Sequence, residues 1–293
     1  MSQSVKAVLV ARARLGECPV WDADGQQLFW VDAYNHRVHQ FDPASGQDRY
    51  FDTGDVVSAL VLAGRNRLLI ALQNRLALLD LSTGEVTTLY TVEFPHPDTR
   101  FNDGKCDAQG RFWIGSVSQA TGQAALYRYD PDGSFRVMET GLTISNGLGW
   151  SPDGTTFYLT DSAPAKTIYA YDFDAETGTI GNRRVLVDLS QEEIEPDGLT
   201  IDREGNLWSA LWNGWQVACF DSSGQEKFRI AMPVQRPTSV TFGGPDLSHL
   251  YITTASVGLS QKEIQQGFLA GDLFRMETHT AGLPTCSFLA EQD

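Results

Sequence analysis

Residues 145–160 read SNGLGWSPDGTTFYLT, in which a short apolar run, a glycine-containing turn and a run rich in aromatic and β-branched residues follow one another. Residues 101–115 (FNDGKCDAQGRFWIG) and 196–210 (PDGLTIDREGNLWSA) repeat this order. Aromatic and β-branched residues favour strands, and Asp-Gly or Pro-Asp-Gly segments favour tight turns. Each stretch therefore predicts two antiparallel strands that form the start of a repeated unit.

The unit recurs along the whole chain. Its six turn glycines are Gly25, Gly64, Gly110, Gly154, Gly205 and Gly244. Their spacings are 39, 46, 44, 51 and 39 residues, and each unit continues with a third strand and a hairpin to a fourth. This period is typical of four-stranded propeller blades. We predict an all-β fold, a single six-bladed β-propeller domain over residues 1–293. An N-terminal strand near Val5 to Val10 would close the ring, and one helical turn is expected at 260–264.

Composition limits the classes of partner. The 22 Lys and Arg residues stand against 37 Asp and Glu residues, a net charge of −15, without a basic cluster. This balance disfavours nucleic acids and anionic membranes. The four cysteines form no C-x-x-C pair, and no apolar window approaches the roughly 18 residues of a membrane span. We expect a cytoplasmic protein with a small-molecule partner, either monomeric or a weak homo-oligomer.

Four polar residues share one position of the repeat. Glu17, Asn102, Asn146 and Asp197 each stand eight positions before a turn glycine. The first strand of a propeller blade lines the central channel, so we expect these side chains to meet at its mouth. Glu17, Asn146 and Asp197 offer oxygen ligands of the kind that Ca²⁺, Mg²⁺ or Mn²⁺ prefer. Alternatively, such residues only satisfy backbone groups in Asx-turns.

The same positions carry a family resemblance. The motifs are ECPVW at 17–21, RFNDGK at 100–105, ISNGL at 144–148 and PDGL at 196–199. In this order they resemble the motifs of the SMP-30/gluconolactonase/regucalcin-like family from about residue 12 to residue 280. The resemblance implies a hydrolase acting on carboxylic esters, namely a sugar lactonase that forms the aldonic acid. It also implies one divalent metal ion, which could be Ca, Zn, Mn, Mg or Fe(II), bound by Glu17, Asn146 and Asp197.

The resemblance further assigns roles around that metal. Arg100 and Asn102 would contact substrate hydroxyls, and Asp197 would also accept the proton from water. From the residues alone, Asp103 is the second candidate base. Gln119 stands where some relatives have an acidic residue that touches substrate, and it could hydrogen-bond a hydroxyl without acting as a base. Cys18 replaces the more usual Ser, and the segment 256–258 lacks an Arg found in many relatives.

Two other functions fit the same residues. One is a non-catalytic, regulatory metal-binding propeller, and the other is a metal-dependent esterase or phosphotriesterase-like hydrolase. An open metal position beside Arg100 and Asn102 favours the lactonase, because an ion buffer would fill the site with protein oxygens. We also expect the blades that begin at Ser58 and Thr238 to leave the side through which the lactone approaches.

Overall fold

The computed structural model describes residues 4–288 and forms a six-bladed β-propeller, as the repeat predicts. Each blade is a four-stranded antiparallel sheet, and strand order follows the chain in five of them. The sixth blade is the exception, because β1 (Lys6–Leu9) is its outermost strand and pairs with the last strand of the chain. The N-terminal strand therefore closes the ring, as expected.

The strands of the blades have the following bounds. The first blade contains β2 (Gly16–Asp22), β3 (Gln27–Asp32), β4 (Arg37–Asp42) and β5 (Gln47–Asp52). The second contains β6 (Val57–Leu62), β7 (Arg67–Leu72), β8 (Arg75–Asp80) and β9 (Val86–Thr91). The third contains β10 (Arg100–Cys106), β11 (Phe112–Val117), β12 (Ala124–Tyr129) and β13 (Phe135–Leu142). The fourth contains β14 (Ser145–Trp150), β15 (Thr156–Asp161), β16 (Thr167–Asp174) and β17 (Thr179–Asp188). The fifth contains β18 (Glu195–Ile201), β19 (Leu207–Trp212), β20 (Gln216–Phe220) and β21 (Glu226–Ala231). The sixth contains β22 (Pro237–Gly243), β23 (His249–Thr254), β24 (Leu273–Glu277) and β1.

Helical structure is confined to two short segments of the described chain. Ala33–Asn35 forms a 3₁₀ turn, and α1 spans Gln261–Gln266 in the long connection between β23 and β24. The Ser260 side chain caps the backbone N–H of Glu263 while the Glu263 carboxylate accepts from the Ser260 backbone, a capping box that begins α1. The predicted helical turn is thus confirmed. Within residues 4–288, no helix has the length and apolarity that a membrane crossing requires.

In the third and fifth blades, the hairpin after the inner strand is held by a shared polar motif. Asp107 accepts hydrogen bonds from the indole N–H of Trp113 at 2.9 Å and from Arg111 Nε at 2.7 Å. Asp202 accepts the indole N–H of Trp208, also at 2.9 Å. These Asp side chains are buried, so each bond also satisfies a group that would be costly to leave unpaired. The motif fixes the two aromatic strands against the inner strands.

All six inner strands contain a β-bulge near their start. The registers shift between Glu17 and Val20, Val57 and Ala59, Phe101 and Gly104, Ser145 and Leu148, Pro196 and Leu199, and Pro237 and Ser239. A bulge re-aims the side chains around it, and bulges are frequent beside active sites. A glycine within a bulge lets two inner strands approach each other: a Cβ at Gly147 would lie 2.5 Å from the Asp197 carbonyl oxygen.

Candidate active site

The polar residues of the repeat lie in or beside these bulges at the channel mouth. Asn102, Asn146 and Asp197 are each the first of two residues that bulge from their strand. Glu17 differs, since it still pairs with Val31 and the bulge falls on the next two residues. The first hairpin has four residues between its closing pair and the third has five. The shared eight-residue offset therefore places Glu17 one position earlier in the strand than its counterparts.

Cys18 follows Glu17 in an unusual conformation. Its φ of 44° lies in the left-handed region, which costs a non-glycine residue on the order of 1–2 kcal/mol. Its buried thiol lies 3.4 Å from the Leu60 carbonyl oxygen and 3.7 Å from that of Gly104, so it links three inner strands. Its backbone N–H donates to Glu17 Oε2 at 3.3 Å. This turn holds the Glu17 carboxylate in the channel.

Three carboxyl groups interact inside the mouth. Burial raises the pKa of Glu17 well above its usual range, and the charges of Asp197 and Asp103 raise it further. Burial likewise raises the pKa of Asp197 strongly, with Asp103 and Glu195 adding to the effect. Asp103 has a raised pKa for the same first reason, although Lys105 opposes it. Neighbouring buried carboxylates of like charge are unfavourable unless a positive charge lies among them.

The unpaired oxygens at this point fit a bound cation. Asn146 donates from Nδ2 to Ser162 Oγ at 3.0 Å, which turns its carbonyl oxygen away from Ser162. Asn146 Oδ1 and Asp197 Oδ1 are buried, and neither finds a hydrogen-bond partner within residues 4–288. Buried oxygens are normally paired, so two such atoms beside Glu17 are suited to a hard divalent ion. Among residues 4–288, no group of three or more His, Cys, Asp or Glu side chains is placed to hold a metal ion, so the predicted ligand set depends on the amide oxygen of Asn146 as its third member.

Arg100 and Asn102 form a connected pair at the rim. Arg100 Nη1 donates to the Phe101 carbonyl oxygen at 2.8 Å and to Asn102 Oδ1 at 3.1 Å. Asn102 Nδ2 in turn donates to the Ser145 carbonyl oxygen at 3.0 Å, across to the fourth blade. The Arg100 guanidinium also lies 5.8 Å from the ring centroid of Tyr34. The pair is therefore fixed in place while several Arg100 N–H groups stay available.

An open cleft of about 440 Å³ lies above this pair. Its lining residues are Tyr34, Asp98, Arg100, Val117, Ser118, Gln119, Thr143, Ile144, Ala163 and Pro164. Two of the predicted substrate residues, Arg100 and Gln119, are among them, whereas Glu17, Asn146 and Asp197 are not. The cleft is bounded by the first, third and fourth blades. Ser58 and Thr238 are buried and take no part in its lining, so this cleft does not open on the side expected from the repeat.

Sequence reasoning missed three side chains of this region. Ser162 holds the Asn146 amide, and Tyr34 and Asp98 line the cleft. All three lie in connections between strands, outside the repeated motifs. The repeat therefore could not single them out, and only their proximity in the fold relates them to the site.

Comparison with known proteins places the chain in a family. Residues 15–256 match the model of the SMP-30/gluconolactonase/LRE-like region, more than half of the chain. The protein belongs to this family, which confirms the prediction made from its motifs.

Individual relatives cover nearly all of the chain. The pentonolactonase XacC of Haloferax volcanii is 37% identical over 287 residues, spanning 96% of this chain and 97% of its own. Regucalcin of Gallus gallus is 37% identical over 283 residues, or 94% of each chain. A solved structure of regucalcin from Agrobacterium tumefaciens, described as a calcium-binding protein, superposes with a TM-score of 0.93 at 28% identity and covers 98% of this chain and 97% of its own.

Proposed function

We propose that this protein hydrolyses a sugar lactone to the corresponding aldonic acid, with Glu17, Asn146 and Asp197 holding one divalent metal ion. The observation that carries the proposal is the pair of unpartnered buried oxygens, Asn146 Oδ1 and Asp197 Oδ1, on inner strands of the same propeller whose cleft is lined by Arg100 and Gln119. Relatives over almost the full length include a protein named as a pentonolactonase. A lactone is the substrate class that this combination supports best.

The metal ion would serve the reaction as an electrophile. A divalent ion at such a site polarises a carbonyl and makes water more acidic. Burial and, after it, repulsion by neighbouring carboxylates raise the pKa values of Glu17 and Asp197, and the positive charge of the ion would offset both effects. The oxygen donors fit calcium, magnesium or manganese most directly, and they do not choose among them.

The remaining residues bind the substrate and accept the proton. Arg100 and Gln119 line the cleft, where they can hydrogen-bond the hydroxyls of a sugar ring, and Arg100 can also stabilise negative charge on the lactone oxygen. Asn102 does not line the cleft, and its proposed part in substrate binding is to hold Arg100 through its Oδ1. Asp197 accepts a proton from the attacking water as the new C–O bond forms. The ring C–O bond then breaks, and its oxygen takes the proton that Asp197 accepted. Asp103 is the alternative base, although its Oδ1 accepts the Gly104 N–H at 2.8 Å and Lys105 is its neighbouring charge.

The test is acid release from a panel of gluconolactone, xylonolactone, arabinonolactone and galactonolactone. The protein is first stripped with a chelator and then supplied with Ca²⁺, Mg²⁺, Mn²⁺, Zn²⁺ or Fe²⁺ one at a time. We expect hydrolysis above the spontaneous blank only with metal, and its loss in Glu17→Ala. Asp153→Asn serves as the matched control, because Asp153 is an exposed carboxylate in a turn.

Two outcomes would contradict the proposal. If no lactone is hydrolysed above the blank with any metal, the protein is not a lactonase of this kind. If hydrolysis persists after chelation and in Glu17→Ala, the metal has no part in it. Metal binding without turnover of any lactone would instead favour the second function, a non-catalytic, regulatory metal-binding propeller, which the similarity to regucalcin suggests.

A further inference from the structure

Asp98 stands in the same cleft as the predicted substrate residues. It lies in the connection between β9 and β10, two residues before Arg100. Asp98 and Arg100 are the only charged side chains in the lining of this cleft. Among the ion pairs of residues 4–288, none joins the two. The cleft therefore has a separate acceptor and a separate donor, both of which face its interior.

The Asp98 carboxylate is anchored and yet has unused capacity. Its Oδ2 accepts the backbone N–H of Gln119 at 2.9 Å, and His96 Nδ1 lies 3.7 Å from its Oδ1. Its side chain is 31% exposed. An ionised carboxylate can accept about four hydrogen bonds, so acceptor positions are left for a ligand. Oδ2 is thus held by a hydrogen bond, whereas Oδ1 has His96 Nδ1 nearby at 3.7 Å and, among residues 4–288, no hydrogen bond.

Arg100 has the opposite character. A guanidinium donates five N–H groups and accepts none, and the two contacts of Arg100 Nη1 leave other N–H groups available. A sugar hydroxyl both donates and accepts, so a polyol can bond to both residues. A phosphate group carries a charge between about −1.5 and −2 near neutral pH and acts mainly as an acceptor. Asp98 would therefore attract hydroxyls and repel a phosphate.

We propose that Asp98 binds substrate hydroxyls and, together with Arg100, selects neutral polyhydroxylated lactones over phosphorylated ones. The inference rests on the proposed lactonase function and names its substrate class. The competing role for Asp98 is purely structural, as a support for the Gln119 backbone.

Three variants separate these roles. Asp98→Asn keeps an oxygen that can accept the Gln119 N–H but removes the charge, whereas Asp98→Ala removes both. Glu93→Gln is the matched control, because Glu93 is exposed on the same connection and outside the cleft lining. Initial rates on a neutral aldonolactone and on a phosphorylated aldonolactone give kcat and KM for each variant. Binding of a neutral aldonamide, measured by calorimetry, gives a second readout that does not depend on turnover.

We expect Asp98→Asn to raise KM for the neutral lactone and the dissociation constant of the aldonamide roughly tenfold, with kcat nearly unchanged. The preference for the neutral over the phosphorylated lactone should fall by a similar factor. If Asp98→Asn behaves like Glu93→Gln and only Asp98→Ala is impaired, Asp98 is a support and the inference is wrong. It is also wrong if the unaltered protein prefers the phosphorylated lactone or does not bind the aldonamide. Aldonamide binding that depends on Asp98, without hydrolysis of any lactone, would overturn the proposed function alone.

Discussion

Every inner strand has a bulge near its start, but two pairs of blades use it in different ways. One pair of blades has Ser58 and Thr238 at the bulge, and the other pair has Asn146 and Asp197. Ser58 Oγ donates to the Ala71 carbonyl oxygen at 3.4 Å, and Thr238 Oγ1 donates to that of Gly16 at 2.5 Å. Asn146 Oδ1 and Asp197 Oδ1 have no such partner within residues 4–288. The bulge thus carries a hydroxyl bonded to a protein carbonyl group in two blades and presents unpartnered oxygens in two others. The identity of one side chain decides which purpose the bulge serves.

The largest difference between the two pairs of blades is expected when the charge of Asp197 is removed. With saturating metal, Asp197→Asn should lower kcat about a thousandfold, because a positioned base typically contributes about 10²- to 10⁴-fold. Asp103→Asn should lower kcat far less, since Lys105 and the Gly104 N–H already engage that carboxylate. Metal affinity is measured separately for both variants by titration. A larger loss of kcat in Asp103→Asn would move the role of base to Asp103.

A second, intermediate effect concerns the stability of the metal-free protein. Glu17 and Asp197 have pKa values raised by burial, so the folded state retains protons that the unfolded state has released. Stability must therefore fall as pH rises from the usual carboxyl range near 4 towards the raised values. The double variant Glu17→Gln, Asp197→Asn removes this dependence, and at pH 7.5 it should melt roughly 2–6 °C higher than the metal-free parent.

The check is the difference between the two melting curves across pH, in chelator, because surface carboxylates contribute equally to both proteins. Added divalent metal should raise the melting temperature of the parent and leave that of the double variant unchanged. A pH-independent difference between the two proteins would mean that burial and the neighbouring carboxylates do not raise the pKa values of Glu17 and Asp197.

The smallest effects belong to the other two blades. Ser58→Ala and Thr238→Val remove hydroxyls that bond only to protein groups, so each should lower the free energy of unfolding by about 1 kcal/mol and change kcat by less than about twofold. Denaturant unfolding and the lactone assay measure the two quantities. A tenfold loss of kcat in either variant would mean that Ser58 or Thr238 takes part in catalysis. The proposed difference between these two blades and those with Asn146 and Asp197 would then be wrong.

Much of this fold can be predicted from the sequence, because the spacing of the repeated motifs gives the number and size of the blades. The turn glycines and aromatic strands predict six blades, the apolar segment near Val5 to Val10 predicts the strand that closes the ring, and residues 260–264 predict a helical turn. Counting back from the turn glycine gives the wrong equivalence where a hairpin changes length by one residue. The count makes Glu17 equivalent to Asn146, but the first hairpin is shorter, so Glu17 lies one position earlier in its strand. It also misses Asp98 and Tyr34, since connections between strands obey no repeat.

The pairing of β1 with β24 has a consequence for biosynthesis. Strand β1 is synthesised before the six inner strands but cannot pair until β24 of the last blade has been made, so its edge stays unpaired while five blades form. The propeller can therefore close only in a chain that contains β24, because a chain that stops before Leu273 lacks the strand with which β1 pairs. Unfinished chains would expose two strand edges at once, which marks them for aggregation or degradation.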